Sequence, residues 1–162
     1  MIKKEYTIKT IEYSSEAEMS NQDSELIKMA KNAAKNAYAP YSEFKVGACV
    51  LLENGKLITG NNQENSAYPS GLCAERVAIF YANSVFPDIA VKAIAICAIN
   101  KNGLLKNPVS PCGACRQVML ETELRFNKPI RTILIGKEKI IAIDNISQLL
   151  PLHFSKNNLK QQ

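Results

Sequence analysis

Two short segments, Cys73-Ala74-Glu75 and Pro111-Cys112-Gly113-Ala114-Cys115, constrain the fold of this chain more than any other feature of its sequence. Three cysteine thiolates suit a zinc ion, and they are one ligand short of the four that structural zinc sites usually have. Catalytic zinc sites keep the remaining position open for water. Glu75 follows Cys73 by two residues, so its carboxylate is close enough to handle the protons of such a water. We therefore expect the two segments to meet, with Cys73, Cys112 and Cys115 as ligands of one Zn²⁺ per subunit and Glu75 as the catalytic residue.

Both cysteine segments fall at the start of a predicted helix. Helix N-termini carry unpaired N–H groups and a partial positive charge. This field favours the thiolate over the thiol, and the thiolate is the form of cysteine that binds metal. The local sequence thus predicts cysteines that are ready to bind a cation.

A zinc site with three thiolate ligands carries excess negative charge. Three thiolates on a dication leave a net charge of −1, which weakens the pull of the metal on a bound water. Arg76 and Arg116 each follow a ligand closely and could offset that charge by hydrogen bonding to sulfur. We favour Arg76 for this role; the alternative is an ordinary arginine on a solvated helix face.

A closed structural site would need a fourth protein ligand. Cys49 and Cys97 lie in predicted strands among small apolar neighbours, where cysteine behaves as a small buried hydrophobe. His153 is the single histidine and lies far along the chain from both segments. The Cys112-x-x-Cys115 pair alone could also be a redox motif, but that interpretation leaves Cys73 and Glu75 unexplained.

Helices and strands alternate along the chain. Apolar residues recur at helical spacing from about Asn21 to Ala37 and end before Ala39-Pro40, since proline disfavours a helical conformation for the residue before it. Asn54-Gly55 is typical of a hairpin turn. The predicted strands are Tyr6–Ile11, Val46–Leu52, Leu57–Asn61, Val91–Ile99, Ile130–Ile135 and Lys139–Ile143, and the later helices are Cys73–Ala82, Cys115–Leu124 and Ser147–Leu150.

This alternation predicts an α/β fold. We expect three layers, with a mixed five-stranded sheet and helices on both of its faces. Residues 1–20 are predicted to be an N-terminal extension that carries at most the short strand Tyr6–Ile11. Residues 21–156 form the predicted catalytic domain, and residues 157–162 a polar tail.

Composition excludes several classes of protein. With 162 residues, 46% hydrophobic and 22% charged, the chain fits one globular domain. Its five cysteines are an odd number, so reduced thiols in a cytoplasmic enzyme are the simpler interpretation. No apolar run approaches the ~20 residues of a membrane helix. The net charge of +5 is scattered and is not interleaved with aromatic residues, so we expect neither a nucleic-acid nor a membrane partner.

Several motifs together resemble the cytidine deaminase family, in its small, homotetrameric, three-cysteine form. The resemblance runs from about Leu26 to Phe154, and Leu149-Leu150-Pro151 followed by Phe154 matches the family's closing segment. Its strongest segments occur in the family's order and at similar spacing: Ala39-Pro40-Tyr41-Ser42-Glu43-Phe44-Lys45-Val46-Gly47, Asn62-Gln63-Glu64-Asn65-Ser66-Ala67-Tyr68-Pro69, Cys73-Ala74-Glu75-Arg76, and Ser110-Pro111-Cys112-Gly113-Ala114-Cys115-Arg116-Gln117-Val118.

The resemblance implies a zinc-dependent hydrolytic deamination of cytidine and 2′-deoxycytidine, as in pyrimidine salvage. It implies that Glu75 takes a proton from the attacking water and hands it to N3 of the pyrimidine. It also implies that Asn62 and Glu64 bind the sugar hydroxyls. Phe44 would pack near the base, and Phe154 would stack on it from a neighbouring subunit. Ser66 and Tyr68 fall where the family completes its pocket with a second subunit, so a homotetramer with active sites at subunit interfaces is expected.

Three other functions remain open. A blasticidin-S deaminase would share the zinc site and the tetramer, but the Asn62–Asn65 motif favours a nucleoside. A nucleic-acid editor typically begins its zinc motif with His-x-Glu, whereas this chain has Cys73-Ala74-Glu75. A zinc-stabilised binding module, the non-enzymatic alternative, requires a fourth protein ligand.

Overall fold

The computed structural model describes residues 1–159; residues 160–162, at the end of the predicted polar tail, lie outside the described part. The strands are β1 (Ile11–Tyr13), β2 (Lys45–Leu52), β3 (Leu57–Asn61), β4 (Val91–Asn100), β5 (Gly103–Leu104), β6 (Arg131–Ile135) and β7 (Ile140–Ile143). They form one mixed sheet in the order β1-β7-β6-β4-β2-β3, and β5 pairs with β4 away from this path. β4 and β6 are parallel, whereas the remaining pairs are antiparallel.

Helices cover both faces of the sheet, as the alternating elements predicted. They are α1 (Asn21–Lys35), α2 (Ala74–Val85), α3 (Gly113–Phe126) and a last turn, α4 (Lys156–Leu159). Ser20 caps α1, because its hydroxyl accepts a hydrogen bond from the Asp23 N–H at 3.1 Å. Short 3₁₀ turns at Glu16–Glu18, Tyr68–Ser70 and Ile146–Gln148 connect the larger elements.

The two faces of β2 belong to two different hydrophobic clusters. Ala48 and Val50 point into the cluster that contains α2 and α3, whereas Cys49 and Leu51 point toward α1. This alternation follows from the two-residue period of a strand. The α/β fold with three layers is therefore confirmed, and α2 and α3 share one face of the sheet.

Gly60 allows α2 to pack closely against β3. A Cβ atom at this position would lie 2.5 Å from the carbonyl oxygen of Ala74 and 2.5 Å from the backbone nitrogen of Ala78. Since Ala74 is the first residue of α2, the missing side chain at Gly60 fixes how near the start of this helix comes to the sheet.

The predicted sheet was wrong in its number of strands. Across residues 1–159 the sheet has seven strands rather than five, because two very short strands join it. β5 contains two residues and folds back on β4, while β1 extends the edge beyond β7. A strand at Tyr6–Ile11 was also predicted, but the strand runs over Ile11–Tyr13. Pairing with the open edge of β7 selects those three residues, and local sequence cannot reveal that edge.

Part of the segment predicted as an extension is integrated into the fold. Ile11 lies opposite Ala142 across the β1–β7 pair, and Met19 is buried in the cluster beneath α1. Arg131 in β6 joins this region to the sheet, since its guanidinium group contacts Asp23 at 2.6 Å and the Tyr13 hydroxyl at 3.2 Å. The boundaries of the extension, the catalytic domain and the tail stay predictions.

The helices of residues 1–159 do not include one that is long and apolar enough to cross a membrane.

Candidate metal centre and adjoining cavity

The three predicted ligands meet at the N-termini of two neighbouring helices. Cys73 is the N-cap residue of α2, Cys112 is the N-cap residue of α3, and Cys115 lies in the first turn of α3. Both N-cap residues have extended backbones, and neither side chain caps its own helix by a hydrogen bond. The sulfurs of Cys73 and Cys112 therefore make no capping hydrogen bond to the backbone, and they lie where the helix dipoles favour negative charge.

The distances between the sulfurs fit a zinc ion. The three Sγ atoms lie within 4.8 Å of one another. Cys73 Sγ is 3.9 Å from Cys112 Sγ, which is 3.4 Å from Cys115 Sγ. Tetrahedral coordination with Zn–S bonds of about 2.3 Å requires sulfurs about 3.8 Å apart. Three thiol ligands at this spacing fit zinc by number, donor type and distance.

The pKa values of the clustered thiols are shifted by their contacts with one another. The pKa of Cys73 is lowered to about 5, first by a hydrogen bond from the Cys115 thiol and further by Arg76. The pKa of Cys115 is raised, because its thiol donates to Cys73 and is desolvated by burial. Without a metal the cluster therefore favours a single thiolate, because adjacent thiols cannot all ionise together. A bound dication would allow all three cysteines to ionise.

Glu75 lies in the first turn of α2 with only 4% of its surface exposed. Burial raises the pKa of its carboxyl group, and negative charge on Cys73 adds to the rise. A carboxyl group whose pKa is shifted toward neutrality can both accept and return a proton. Position and acidity are therefore compatible with the predicted catalytic role.

The two candidate arginines have different partners. Arg76 Nη2 lies 3.8 Å from Cys73 Sγ and 3.4 Å from the Gly71 carbonyl oxygen. Arg116 instead donates to two backbone carbonyls, those of Pro111 at 2.8 Å and Leu149 at 2.9 Å. The geometry is therefore compatible with a charge-offsetting role for Arg76, whereas Arg116 joins the second cysteine segment to the backbone at Leu149.

The other cysteines and the histidine lie elsewhere. Cys49 and Cys97 are completely buried in the cluster under α1, on the opposite face of the sheet. Burial raises the pKa of Cys49 to about 12 and that of Cys97 to about 11, so both are neutral thiols at pH 7. His153 Nδ1 is 2.8 Å from the Leu150 carbonyl oxygen. The metal-ligand cluster found in residues 1–159 is thus Cys73, Cys112 and Cys115.

A cavity of about 780 Å³ opens directly over the cysteine cluster. Cys73, Cys112 and Glu75 form part of its wall, and Arg76 lines it as well. Four of the six residues predicted to contact a substrate also line it: Phe44, Asn62, Glu64 and Tyr68. The fold therefore brings the candidate metal centre and most of the predicted substrate contacts into one space of small-molecule size.

The two remaining predicted contacts lie outside the cavity wall. Ser66 is exposed in the loop before the Tyr68–Ser70 turn. Phe154 is 60% exposed on the C-terminal segment, where its carbonyl oxygen accepts a hydrogen bond from Gln117 Nε2 at 2.9 Å. Tyr68 is on the cavity rim, with 78% of its surface exposed and its ring edge-on to Tyr41 at 6.3 Å.

Asn62 and Glu64 lie on a segment held from both sides. The Tyr38 N–H donates to the Asn62 carbonyl, and the Glu64 N–H donates to the Tyr38 carbonyl, at 3.1 and 2.9 Å. On the other side, Gln63 exchanges two backbone hydrogen bonds with Leu72, of 2.9 and 3.0 Å. Since Leu72 directly precedes Cys73, the polar segment is fixed relative to the start of α2.

Sequence reasoning missed several residues of the cavity wall. Tyr41 and Ser42 line the cavity and lie in a motif that resembles the family, but the sequence predicts no role for either. Apolar residues that complete the wall are Val46, Leu72, Ile96 and Val109. Nothing in a single sequence marks these residues, because strand and loop positions far apart in the chain contribute them.

Comparisons with known proteins agree with this arrangement. The model of a family described as the cytidine and deoxycytidylate deaminase zinc-binding region matches residues 20–127, which include all three clustered cysteines. A cytidine deaminase of Sporosarcina psychrophila is 42% identical over 134 residues, covering 83% of this chain and 92% of the relative. One of Halalkalibacterium halodurans is also 42% identical, covering 83% and 95%. A crystal structure of cytidine deaminase from Burkholderia pseudomallei superposes with a TM-score of 0.69 at 36% identity, covering 84% of this chain and 100% of that structure.

Proposed function

The chain belongs to the cytidine and deoxycytidylate deaminase family, and we propose that it hydrolyses cytidine and 2′-deoxycytidine to uridine and 2′-deoxyuridine, releasing ammonia. The observation that carries this proposal is the buried Glu75 beside three clustered thiols, at the wall of a cavity that also contains Asn62 and Glu64. A binding module with a structural zinc site would need a fourth ligand, and the cluster found in residues 1–159 contains three.

Cys73, Cys112 and Cys115 would hold one zinc ion per subunit. When bound, zinc supplies a Lewis acid that lowers the pKa of a water molecule toward neutrality. Arg76 would offset the negative charge of the thiolates through its contact with Cys73. Its guanidinium group is well suited to this, because interaction with Cys73 raises its already high pKa and keeps it cationic.

Glu75 would carry the protons of the reaction. Its carboxylate takes one proton from the attacking water and delivers it to N3 of the pyrimidine. A new C4–O bond forms, and Glu75 then takes the second proton from the oxygen now bonded to C4. It passes this proton to the amino group as the C4–N bond breaks and the C4=O bond forms. The overall balance is one water consumed and one ammonia released. Burial supports this role, because a raised pKa makes the carboxyl group an effective acid as well as a base.

Asn62 and Glu64 have the capacity to bind one sugar hydroxyl between them. Glu64 already accepts from the N–H groups of Tyr41 and Ser42 and from the Ser42 hydroxyl, which leaves about one of its four acceptor sites. Asn62 accepts from the Val46 N–H at 2.7 Å and donates to the Phe44 carbonyl at 2.9 Å, which leaves one N–H. A single hydroxyl can accept from Asn62 and donate to Glu64, so we expect the second hydroxyl of the ribose to matter little.

An assay of four candidate substrates tests the function. We expect turnover of cytidine and 2′-deoxycytidine with kcat/KM values within about tenfold of each other, since one lost hydrogen bond is worth ~1 kcal/mol. Blasticidin S and a cytosine-containing single-stranded oligonucleotide are expected to react far more slowly. Loss of cytosine absorbance and release of ammonia measure each reaction. Turnover of blasticidin S alone, or oligonucleotide rates that rival those of cytidine, would contradict the proposal.

We also propose a homotetramer in which a neighbouring subunit completes each cavity. Support comes from exposed aromatic residues on the cavity rim, on the C-terminal segment and on α2, namely Tyr68, Phe154, Phe80 and Tyr81 at 78%, 60%, 47% and 57% exposure. Ser66, Tyr68 and Phe154 would contribute to the interface, with Phe154 reaching the base bound next to a neighbouring cluster.

Subunit mixing tests this arrangement. We expect Phe154→Ala to lower kcat/KM roughly 10- to 100-fold, because stacking an aromatic ring on a base is worth ~1–3 kcal/mol. Co-expression of Phe154→Ala and Glu75→Gln chains should restore activity, since some sites then combine an intact Glu75 with an intact Phe154 from the neighbour. Sedimentation equilibrium should give four times the chain mass. Hybrids no more active than the parents would show that Phe154 does not act across an interface.

A further inference from the structure

Ser42 is joined to Glu64 although 22 residues separate them in the chain. The Ser42 hydroxyl donates to Glu64 Oε1. The other carboxylate oxygen, Oε2, accepts from the Tyr41 and Ser42 N–H groups at 2.9 and 3.3 Å. Three hydrogen bonds from two consecutive residues therefore set the position of this carboxylate at the cavity wall.

The same hydroxyl also holds Phe44. Its oxygen accepts from the Phe44 N–H at 3.0 Å. On the other side of this residue, the Phe44 carbonyl accepts from Asn62 Nδ2 at 2.9 Å. Both backbone groups of Phe44 are thus hydrogen-bonded to polar side chains of the cavity, one through Ser42 and one through Asn62.

The backbone between Ser42 and Phe44 needs such support. Glu43 has a φ angle of +55°, in the left-handed region that residues with a side chain seldom adopt. Such a conformation persists where surrounding contacts determine it. The hydrogen bonds of Ser42 on one side and of Phe44 on the other supply those contacts, along with the Glu43 N–H donating to Ala39 at 3.1 Å.

We propose that Ser42 is a positioning residue whose hydroxyl fixes the Glu64 carboxylate and the Phe44 backbone relative to each other. The carboxylate that would bind the sugar and the aromatic ring that would pack on the base then form one unit. This inference rests on the proposed function, because it assigns Ser42 a role through two of the proposed substrate contacts. The hydroxyl touches neither the cysteine cluster nor Glu75, so it acts on substrate binding rather than on proton transfer.

Replacement of Ser42 should therefore separate binding from chemistry. Ser42→Ala removes one hydrogen bond from Glu64 and one from Phe44, and we expect KM for cytidine to rise ~10-fold while kcat changes less than about threefold. Since Ser42 is exposed, and the hydrogen bonds from Glu43 to Ala39 and from Asn62 to Phe44 still hold this backbone, the melting temperature and zinc content should stay close to those of the wild type. Ser42→Thr is the matched control, because it keeps the hydroxyl, and it should restore most of the affinity.

Two comparisons distinguish positioning from a general structural effect. With 2′,3′-dideoxycytidine, which lacks both ring hydroxyls that Glu64 would bind, we expect the penalty of Ser42→Ala to shrink to the part that acts through Phe44, about twofold. In a double-mutant cycle, Ser42→Ala should cost little more once Glu64→Ala is present. Equal penalties on both nucleosides, additive penalties in the cycle, or a fall in kcat alone would overturn the proposal. If the wild type deaminates cytidine and Ser42→Ala does so with unchanged KM and kcat, the role of Ser42 is overturned while the proposed function stays intact. A wild type that is inactive on cytidine would instead refute the proposed function itself.

Discussion

Glu75→Gln is expected to lower kcat by several orders of magnitude while the fold and the bound zinc remain. A single general acid–base group is typically worth ~10²–10⁴-fold, and Glu75 would act at more than one proton transfer. Glutamine keeps the shape of the side chain but cannot accept and return a proton. Steady-state kinetics, metal analysis and thermal unfolding of the same preparation measure the three properties.

Stability should not fall in the Glu75→Gln variant. The pKa of Glu75 is raised in the folded chain, so its ionised form is disfavoured there and contributes no stability near neutral pH. Glu123 offers a matched control, since it is also buried but its carboxylate accepts from the Ile130 and Ile146 N–H groups at 2.8 Å. Glu123→Gln should lower the melting temperature yet leave kcat nearly unchanged. An active Glu75→Gln enzyme would remove Glu75 from the mechanism.

Loss of a single clustered cysteine should abolish both zinc binding and activity. Cys112→Ala removes an exposed side chain, so little packing is lost, but it leaves two sulfurs where three are needed to hold the ion. We expect the zinc content to fall from about one ion per chain toward zero and kcat/KM to fall at least ~10³-fold. Added zinc should not restore this variant, whereas wild type treated with a chelator should recover when zinc is returned.

Cys97→Ala is the matched control for the cysteine replacement. Its thiol is fully buried on the opposite face of the sheet, so truncation should cost about 1–2 kcal/mol of stability. Zinc content and kcat should nevertheless stay normal. The two variants should thus differ in opposite ways. Cys112→Ala should lose zinc with little loss of stability, whereas Cys97→Ala should lose stability and keep its zinc. Zinc retained at full occupancy in Cys112→Ala would contradict the proposed ligand set.

Local sequence was a sound guide wherever local forces decide the structure. Helical periodicity predicted α1, and the Asn54-Gly55 pair predicted the β2–β3 hairpin. The two cysteine segments were expected at helix N-termini, and Cys73 and Cys112 are the N-cap residues of α2 and α3. Short edge strands were harder, because β1 and β5 depend on an unpaired neighbour rather than on their own residues.

The sequence by itself determined the chemistry proposed for this protein, namely three candidate thiol ligands, an adjacent glutamate and a set of motifs that identify the family. Those features are local in the chain, and their residue types dictate which ion and which proton transfers they suit. Only the tertiary structure decided that Arg116 donates to the Leu149 carbonyl, and that the Ser42 hydroxyl donates to Glu64. These partners lie 33 and 22 residues apart in the chain, and contacts across such long separations leave no local pattern in the sequence.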